Sequence, residues 1–578
     1  MKRFPVKQMK WWGWGNENES FDVTNRPLFN DYVGKHLGLD VSEIDVVDPV
    51  DIESIVLKEA NLSEQFLGAV EENLAMHKFT MDTKERIIHS YGKSFRDLYR
   101  IRRGIISRSP DIVVYPENEE DVVNILRIAD EHRAIVIPFG GGSNIAGCVE
   151  ANVNSNKTII SLDMKVMNSV KKLDEESHVA VIEAGALGPD MEQQLNALGY
   201  SLGHFPDSFK HSTIGGWVAT RSAGLQSDVY GKIEDMVLAV KMVTPKGVVE
   251  TRVVPKSSNG IDVKGFFVGS EGILGVITEV TVAVHPLAEA REIYGYLFHS
   301  FEDGVNALKE ISDSPVTPLF MRLNDVNKTG LSFAFKEEKK TSLLENIVTA
   351  AFKSYLKNIK KLNFETCCML LIGYEGKKEV VDKDIKFTRK ILLKNKGISL
   401  GTSPAASFEK SKYDFPYVRD YVMDRGFVAD VSETATTWKN LLPLYKSVKE
   451  SIDQAIKSTG SESWCGCHIS HTYHSGASLY FTFVAEANKD LGIEQYLYIK
   501  KAAEDAFIDG GGTLSHHHAV GYEHIPWLEK EVSSTAMKGI ESLKQGLDPK
   551  GIMNPGKIIA SECFDWGLST KTNNDLNS

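Results

Sequence analysis

Pro138-Phe-Gly-Gly-Gly-Ser-Asn144 follows the apolar run Ala134-Ile-Val-Ile-Pro138 without a break. Three consecutive glycines let the backbone approach a ligand closely and adopt φ > 0. Their successive N–H groups can form an anion-binding nest, and Ser143 and Asn144 add polar contacts. A pyrophosphate suits such a loop, being negative, in need of several donors and intolerant of nearby Cβ atoms. A tight surface turn is the competing reading of a glycine triplet taken alone. The loop is not G-x-G-x-x-G, and it lacks the Lys-Ser/Thr ending of an NTPase loop. NAD and ATP therefore fit it less well than FAD.

The segments on either side alternate in type. Asp111-Ile-Val-Val-Tyr-Pro116 predicts a short strand, and Asn118 to His132 predicts a helix that opens on an acidic cluster. Further strands are expected over Thr158 to Leu162, His178 to Glu183, Leu238 to Val243, Gly247 to Val253 and Gly275 to Val284. This is an α+β pattern, not regular βαβ repetition. Three more glycine-punctuated loops follow. Pro206-Asp-Ser-Phe-Lys-His-Ser-Thr-Ile-Gly-Gly216 offers Asp207, Ser208, Ser212 and Thr213. Thr220-Arg-Ser-Ala-Gly224 offers Thr220, Arg221, Ser222 and Ala223. Gly269-Ser-Glu-Gly-Ile-Leu-Gly-Val-Ile277 offers Glu271, Gly272, Ile273, Leu274, Gly275, Val276 and Ile277. Each alone could be structural punctuation.

Composition sets wider bounds. At ~100–200 residues per domain, 578 residues allow two to four domains. With 42% hydrophobic and 25% charged residues the chain is of ordinary globular type, large enough to enclose a big cofactor. A net charge of −12 argues against a broad nucleic-acid-binding surface. The six cysteines (Cys148, Cys367, Cys368, Cys465, Cys467 and Cys563) form no regular framework and point to a reducing compartment. No run approaches the ~20 apolar residues of a membrane helix. A cytoplasmic location is expected. Met1 to Trp14 has no apolar signal core, and the polar tail Asn573 to Ser578 ends Leu-Asn-Ser, unlike a peroxisomal address. Asp51 to Met76 has helical spacing, so residues 1–108 read as mainly helical with irregular stretches, and Lys336 to Lys361 reads as a solvated helix.

Taken together, the four loops in this order resemble the vanillyl-alcohol-oxidase flavoprotein family. The resemblance sharpens to its alkyldihydroxyacetonephosphate synthase branch. The residues that carry it are Met9-Lys-Trp-Trp-Gly-Trp-Gly15, Arg322 in Phe320-Met-Arg-Leu323, Arg419 in Tyr417-Val-Arg-Asp420, Ser470-His-Thr-Tyr473 and, most specifically, Ser515-His-His-His-Ala-Val-Gly521. It covers roughly residues 9 to 560. It implies a two-subdomain PCMH-type FAD-binding module over residues 109–286, an α/β cap or substrate domain over 287–510, and helical N- and C-terminal segments over 1–108 and 511–578. FAD would be held noncovalently by Pro138, Phe139, Gly140, Gly141, Gly142, Ser143 and Asn144 and by the three other loops. The resemblance implies exchange of the acyl chain of acyl-dihydroxyacetone phosphate for a long-chain fatty alcohol, forming the ether bond of ether lipids without net redox. Tyr480 then matches the proton donor and acceptor, Arg419 the substrate phosphate ligand, and Arg322, His516, His517 and His518 residues needed for activity. A homodimer is implied, and greasy substrates make peripheral membrane contact compatible with the reading.

The chemistry asks something of these residues. Carbon 1 of such a substrate lies beside a ketone, so its protons can be abstracted, and Arg and His can stabilise the enolate that forms. A tyrosine of pKa ~10 is a poor base at neutral pH. It would need nearby Arg or His charges to lower that value. The family often has Gly after the histidine triplet, where this chain has Ala519.

Other readings remain open at this level. Cys465-Gly-Cys-His-Ile-Ser-His471 with His474 offers zinc-type ligands, but it has no second paired half, so a buried strand with incidental cysteines is preferred and no metal is expected. Trp11, Trp12 and Trp14 could touch a lipid surface, but such aromatics more often cap a core. The runner-up activity is an FAD-dependent D-2-hydroxyacid dehydrogenase of D-lactate type, which shares the module and a Leu547-Asp-Pro-Lys-Gly-Ile-Met-Asn-Pro-Gly556 ending. Those enzymes usually carry Glu-His-Gly where this chain has His517-His518-Ala519. A non-catalytic flavin-binding protein is the bland alternative.

Overall fold

The computed structural model describes residues 7–39, 44–151, 155–336, 343–561 and 566; the tail Asn573 to Ser578 lies outside them. The glycine-rich loop leaves the end of the strand Ile135–Phe139, at one edge of a four-stranded sheet. This strand pairs in parallel with Ile159–Asp163, which pairs in parallel with Ile112–Val114. Their side chains are almost wholly buried, as parallel strands require. The helix Glu119–His132 packs beside them, its N-cap Asn118 accepting from the Asp121 N–H and three acidic residues filling its first turn.

A second, antiparallel sheet of five strands runs in the order Val170–Asp174, Val179–Glu183, Val276–Ala283, Val237–Thr244 and Gly247–Glu250. The helix Ile214–Thr220 packs against its middle strands. These two sheets carry all four predicted glycine loops.

The third sheet has seven antiparallel strands and forms the opposite wall. Its order is Ile398–Gly401, Ala290–Phe298, Cys368–Gly376, Phe320–Asn324, Ser463–Ile469, Gly476–Glu486 and Phe427–Thr437. Side chains alternate between its faces. Leu479, Phe481 and Phe483 pack with Leu441, Leu444 and Val448 of the long helix Trp438–Ser458. Tyr480, Thr482 and Val484, one residue out of phase, face the interior cavity.

The N-terminal region is helical with irregular stretches, and it departs from expectation only over Asp51 to Leu62. Its helices are Pro27–Leu37, Glu64–Asn73, Thr83–Ile88 and Phe95–Ile101, with long irregular connections. Apart from a 3-10 turn at Ile52–Ser54, the segment from Asp51 to Leu62 stays non-helical because distant groups take its backbone. Arg86 donates to the Lys58 carbonyl, the Asn61 N–H donates to Asp111, and Thr158 donates to the Asn61 carbonyl. Helix starts only where the Ser63 hydroxyl accepts from the Phe66 N–H. The charged segment yields a helix over Leu343–Asn358, with Leu356 buried and Tyr355 exposed.

Beyond the histidine triplet the chain returns to the first sheet. The Val136 N–H donates to the Ile552 carbonyl, and the Asn554 N–H donates back to the Val136 carbonyl. The Asn554 amide also donates to the carbonyls of Cys148 and Glu271, tying two cradle loops together. Among the described residues no helix is long and apolar enough to cross a membrane.

Candidate active site

One continuous cavity lies between the glycine loops and the seven-stranded sheet. Its first wall is mostly backbone. Pro138 through Asn144, Asp207, Ser208, Ser212, Thr213, Thr220, Ser222, Ala223, Glu271, Gly272, Gly275, Val276 and Ile277 all line it. Three predicted residues do not. Arg221 is an exposed, left-handed helix cap, and Ile273 and Leu274 are buried in the core beneath the loop. Glycine is needed where two loops meet: a Cβ on Gly140 would run into the Thr213 hydroxyl, and one on Gly141 into the His211 carbonyl. The N–H groups of Gly141 through Asn144 meet no protein acceptor among the described residues, as a nest for a phosphate requires. These residues therefore fit the pyrophosphate of FAD. Glu271 turns its side chain away from that task. Its carboxylate accepts from the Val520 and Gly521 N–H groups at 2.7 and 2.6 Å and from the Cys148 thiol at 3.3 Å.

The second wall is made of side chains. Tyr480 sits between two strands, opposite Glu433 on one and His468 on the other. Its ring stacks on His517 at 5.8 Å and meets the edge of His518 at 5.4 Å. Burial pushes the Tyr480 phenol well above its ordinary value, and the charges of Asp207, Glu433 and Asp430 push it the same way; Arg322 opposes them without prevailing. The expectation of a lowered tyrosine value is thus reversed, first because the phenol is wholly buried and second because three carboxylate charges from distant parts of the sequence act on it.

Glu433 organises the triplet and was not anticipated. Its buried carboxylate accepts from the Ser515 hydroxyl at 2.8 Å and from the N–H groups of His516, His517 and His518 at 2.9–3.1 Å. Burial alone would raise its value. The ring charges of His517 and His518, with a hydrogen bond from His517, hold it well below the usual carboxylate range. The available signal was an acid inside the otherwise neutral run Val431-Ser-Glu-Thr-Ala435, where an unpaired carboxylate would be costly to bury.

The rings form a chain. Tyr473 Oη lies 2.5 Å from His516 Nε2, and His516 Nδ1 lies 3.0 Å from His517 Nδ1. His471 stacks on His516 at 5.0 Å and is fixed by Ser227 Oγ at 2.6 Å from its Nδ1. Burial pulls His516 down to about 3 and His518 well below its ordinary value. Ligand atoms of His471, His516 and His517 lie within 4.8 Å of one another, as do those of Glu433, His517 and His518, so either set is close enough to hold a cation. Cys465 and Cys467 cannot join His468 around one ion. They point into the helix-covered core while His468 faces the cavity. Burial also lifts the Cys465 thiol to about 12.

Arg322 and Arg419 reach the same cavity from different elements. Arg322 stands on the strand Phe320–Asn324. Arg419 stands on the helix Phe415–Met423, 3.9 Å from Asp430, with Nε and one terminal nitrogen lacking any partner. The N-terminal tryptophans brace this helix. Trp11 and Trp14 are buried, and the Trp14 N–H donates to Asp420 at 2.6 Å. Lys93 holds the carbonyls of Lys10 and Trp11, and Arg102 holds that of Trp12. Trp14 itself lines the cavity and meets His211 edge-on at 5.6 Å. Past Arg419 the cavity continues as an apolar arm walled by Phe29, Val33, Leu331, Phe415, Val422 and Trp464.

Comparison with known proteins gives this geometry a context. Residues 110–252 match the model of an FAD binding domain, and residues 287–558 match the C-terminal domain of FAD linked oxidases. The chain is 38% identical over 574 residues to the alkyldihydroxyacetonephosphate synthase of Dictyostelium discoideum, covering 96% of this chain and 94% of that one. It is 37% identical over 501 residues to that of Trypanosoma brucei brucei, covering 86% and 81%. A solved structure of an alkyldihydroxyacetonephosphate synthase superposes with a TM-score of 0.81 at 35% identity, covering 95% of this chain and 97% of that one. The cradle is that of an FAD-using enzyme, and the chain belongs to the alkyldihydroxyacetonephosphate synthase family.

Proposed function

We propose that this enzyme replaces the acyl chain of acyl-dihydroxyacetone phosphate with a long-chain fatty alcohol, with no net oxidation. The observation that carries the reading is the single cavity. It joins the FAD cradle, Tyr480 with its histidines, two arginines and a long apolar arm. The substrate this enzyme would take has a ketone for the chamber of Tyr480 and the flavin, a phosphate for an arginine and a hydrocarbon chain for the arm.

FAD, when bound, would supply an electron-poor ring to the reaction. The protein's residues do the rest. Arg419, with two unpaired donors, suits the phosphate, which a guanidinium can bind through two parallel bonds. Arg322 offsets the charge that develops on the ketone oxygen as the neighbouring carbon loses its proton. Tyr480, held neutral by burial, gives its proton to the departing carboxylate; His517 or His518, in ring contact with it, takes the proton the carbon loses and passes it on to Tyr480, and the incoming alcohol's proton returns to the carbon by the same route. The arm excludes water from the alkyl chains. Exposed Leu28, Val46 and Val47 lie in chain segments beside the arm's helices and suit contact with the lipid surface that stores such substrates. A homodimer belongs to the same proposal.

One observation favours a second reading, oxidation of a D-2-hydroxyacid: the ligand sets of the histidine cluster could hold a divalent ion. An exchange assay separates the two. FAD-loaded protein is given palmitoyl-dihydroxyacetone phosphate and labelled hexadecanol without an electron acceptor. Labelled ether product, lost in Tyr480→Phe, is expected. Flavin reduction by a D-2-hydroxyacid without ether product would overturn the proposal.

A further inference from the structure

Two buried polar side chains line the cavity with nothing to bond to, and the reaction above uses neither. His471 has Ser227 on one ring nitrogen, and His516 and His517 hold each other. Neither nitrogen of His468 has a hydrogen-bond partner among the described residues, although its ring lies 4.8 Å from that of Tyr480. Thr482 is the second case, for its buried hydroxyl also lacks a partner. Both residues line the same cavity. A buried donor or acceptor left unpaired is costly. Two of them side by side on a cavity wall mark a place for a ligand's polar atom.

Strand register indicates which ligand. On the cavity face Tyr480 pairs with His468, Thr482 with Gly466, and Val484 with Trp464. Successive pairs are about 7 Å apart. The first pair belongs to the reacting chamber and the third to the apolar arm. The middle pair has one polar group, the Thr482 hydroxyl. Gly466 adds no side chain, and the Trp464 ring lies over it, 2.8 Å from where a Cβ would stand. The Trp464 indole N–H already donates to Tyr32 Oη at 3.0 Å, so the ring turns only hydrocarbon to the arm. His468 and Thr482 are diagonal neighbours, about 7–8 Å apart or somewhat less at Cβ, a gap that one ligand oxygen can bridge. Burial, helped by the Arg322 and Lys328 charges, holds His468 well below its ordinary value, so its ring is neutral. A neutral imidazole and a threonine hydroxyl each offer a donor and an acceptor. A hydroxyl, which both gives and takes a hydrogen bond, satisfies such a pair; a carboxylate, which only accepts, does not. We propose that His468 and Thr482 form the subsite for the hydroxyl of the incoming long-chain alcohol, with its chain laid past Val484 and Trp464 into the arm. The proposal deepens the exchange reading and rests on it for the occupant's role. These two residues hold the oxygen, and the proton leaves through Tyr480 as above.

Isothermal titration of the FAD-loaded protein tests it, with dodecanol, dodecyl methyl ether and laurate as probes. Wild-type protein should prefer dodecanol over the methyl ether by about fivefold or more, because the ether cannot donate and leaves an acceptor unpaired. Thr482→Val nearly keeps the shape and removes the hydroxyl; His468→Phe keeps a ring and removes both nitrogens. Each should cut that preference by about threefold or more, while affinity for the methyl ether and for dihydroxyacetone phosphate stays within about twofold. Retained flavin shows that a variant is folded, and Thr482→Val carries the test if His468→Phe loses it. In the exchange assay Thr482→Val should raise KM for hexadecanol by a similar factor and leave KM for palmitoyl-dihydroxyacetone phosphate within about twofold. Equal wild-type affinity for alcohol and ether, or a preference that Thr482→Val leaves intact, would overturn the subsite. So would a wild-type preference for laurate over dodecanol that the variants abolish, which would make the pair a carboxylate site. Ether synthesis without the hydroxyl preference sinks the subsite alone; hydroxyl preference without ether synthesis sinks the exchange reading and leaves an alcohol-binding site standing.

Discussion

The FAD cradle and the histidine cluster face each other across one cavity and are built in opposite ways. The cradle is four loops of contiguous sequence whose working parts are backbone N–H groups and missing side chains. The cluster is a handful of side chains whose order depends on a carboxylate that arrives from a strand more than eighty residues away. A backbone site tolerates changes of side chain and fails when a Cβ is added. A side-chain site tolerates small adjustments of backbone and fails when one functional group is lost.

Four substitutions probe that contrast. Tyr480→Phe should have the largest effect, a loss of about 10²–10⁴-fold in exchange rate with FAD content unchanged. Retained activity would remove Tyr480 from the chemistry. Glu433→Gln should lower activity and cost roughly 1–3 kcal/mol of stability, since four donors lose a charged acceptor. Its pH dependence has a definite sign. The folded-state value is depressed, so the stabilisation is fully present above about pH 4.3, the unfolded value, and fades as pH falls through the folded one. Thermal melts should show the gap between wild type and Glu433→Gln narrowing as pH falls below about 4.3; a gap that widens in acid would contradict this. Gly141→Ala should cost about 1–3 kcal/mol and release FAD on gel filtration, while the cluster on the far wall stays intact. Ala519→Gly should have the smallest effect and the opposite sign. Ala519 holds φ at 77°, in the left-handed region, so glycine there should raise stability by up to about 1 kcal/mol in a denaturant titration.

The same contrast explains what could be read from residues alone. Gly140 to Gly142, the Asn118 cap and the helix it starts, and the histidine triplet are local patterns, and local patterns survive in a linear string. Resemblance to the synthase family extended this to Arg322, Arg419 and Tyr480, each of which reaches the cavity. What stayed hidden is non-local. Glu433 looks like one acid in a strand until the strand pairs with Tyr480. The Tyr480 value reversed because the fold buries the phenol and adds the charges of Asp207, Glu433 and Asp430, which lie far apart in sequence. The irregular run before Ser63 kept a helical spacing that Arg86, Asp111 and Thr158 override. The Ala519 departure was visible, but its backbone strain was not.

The bond from the Trp14 N–H to Asp420 spans 406 positions. On a ribosome adding about 5–20 residues per second, Trp14 would emerge roughly 20–80 s before its partner is made. Trp14 must therefore wait without its partner through most of synthesis, while Lys93 and Arg102, which hold the carbonyls of Lys10, Trp11 and Trp12, emerge early. The cavity wall that carries Arg419 can close only near the end of translation. Slow codons or truncation upstream of residue 420 would leave Trp14 without the carboxylate that anchors it.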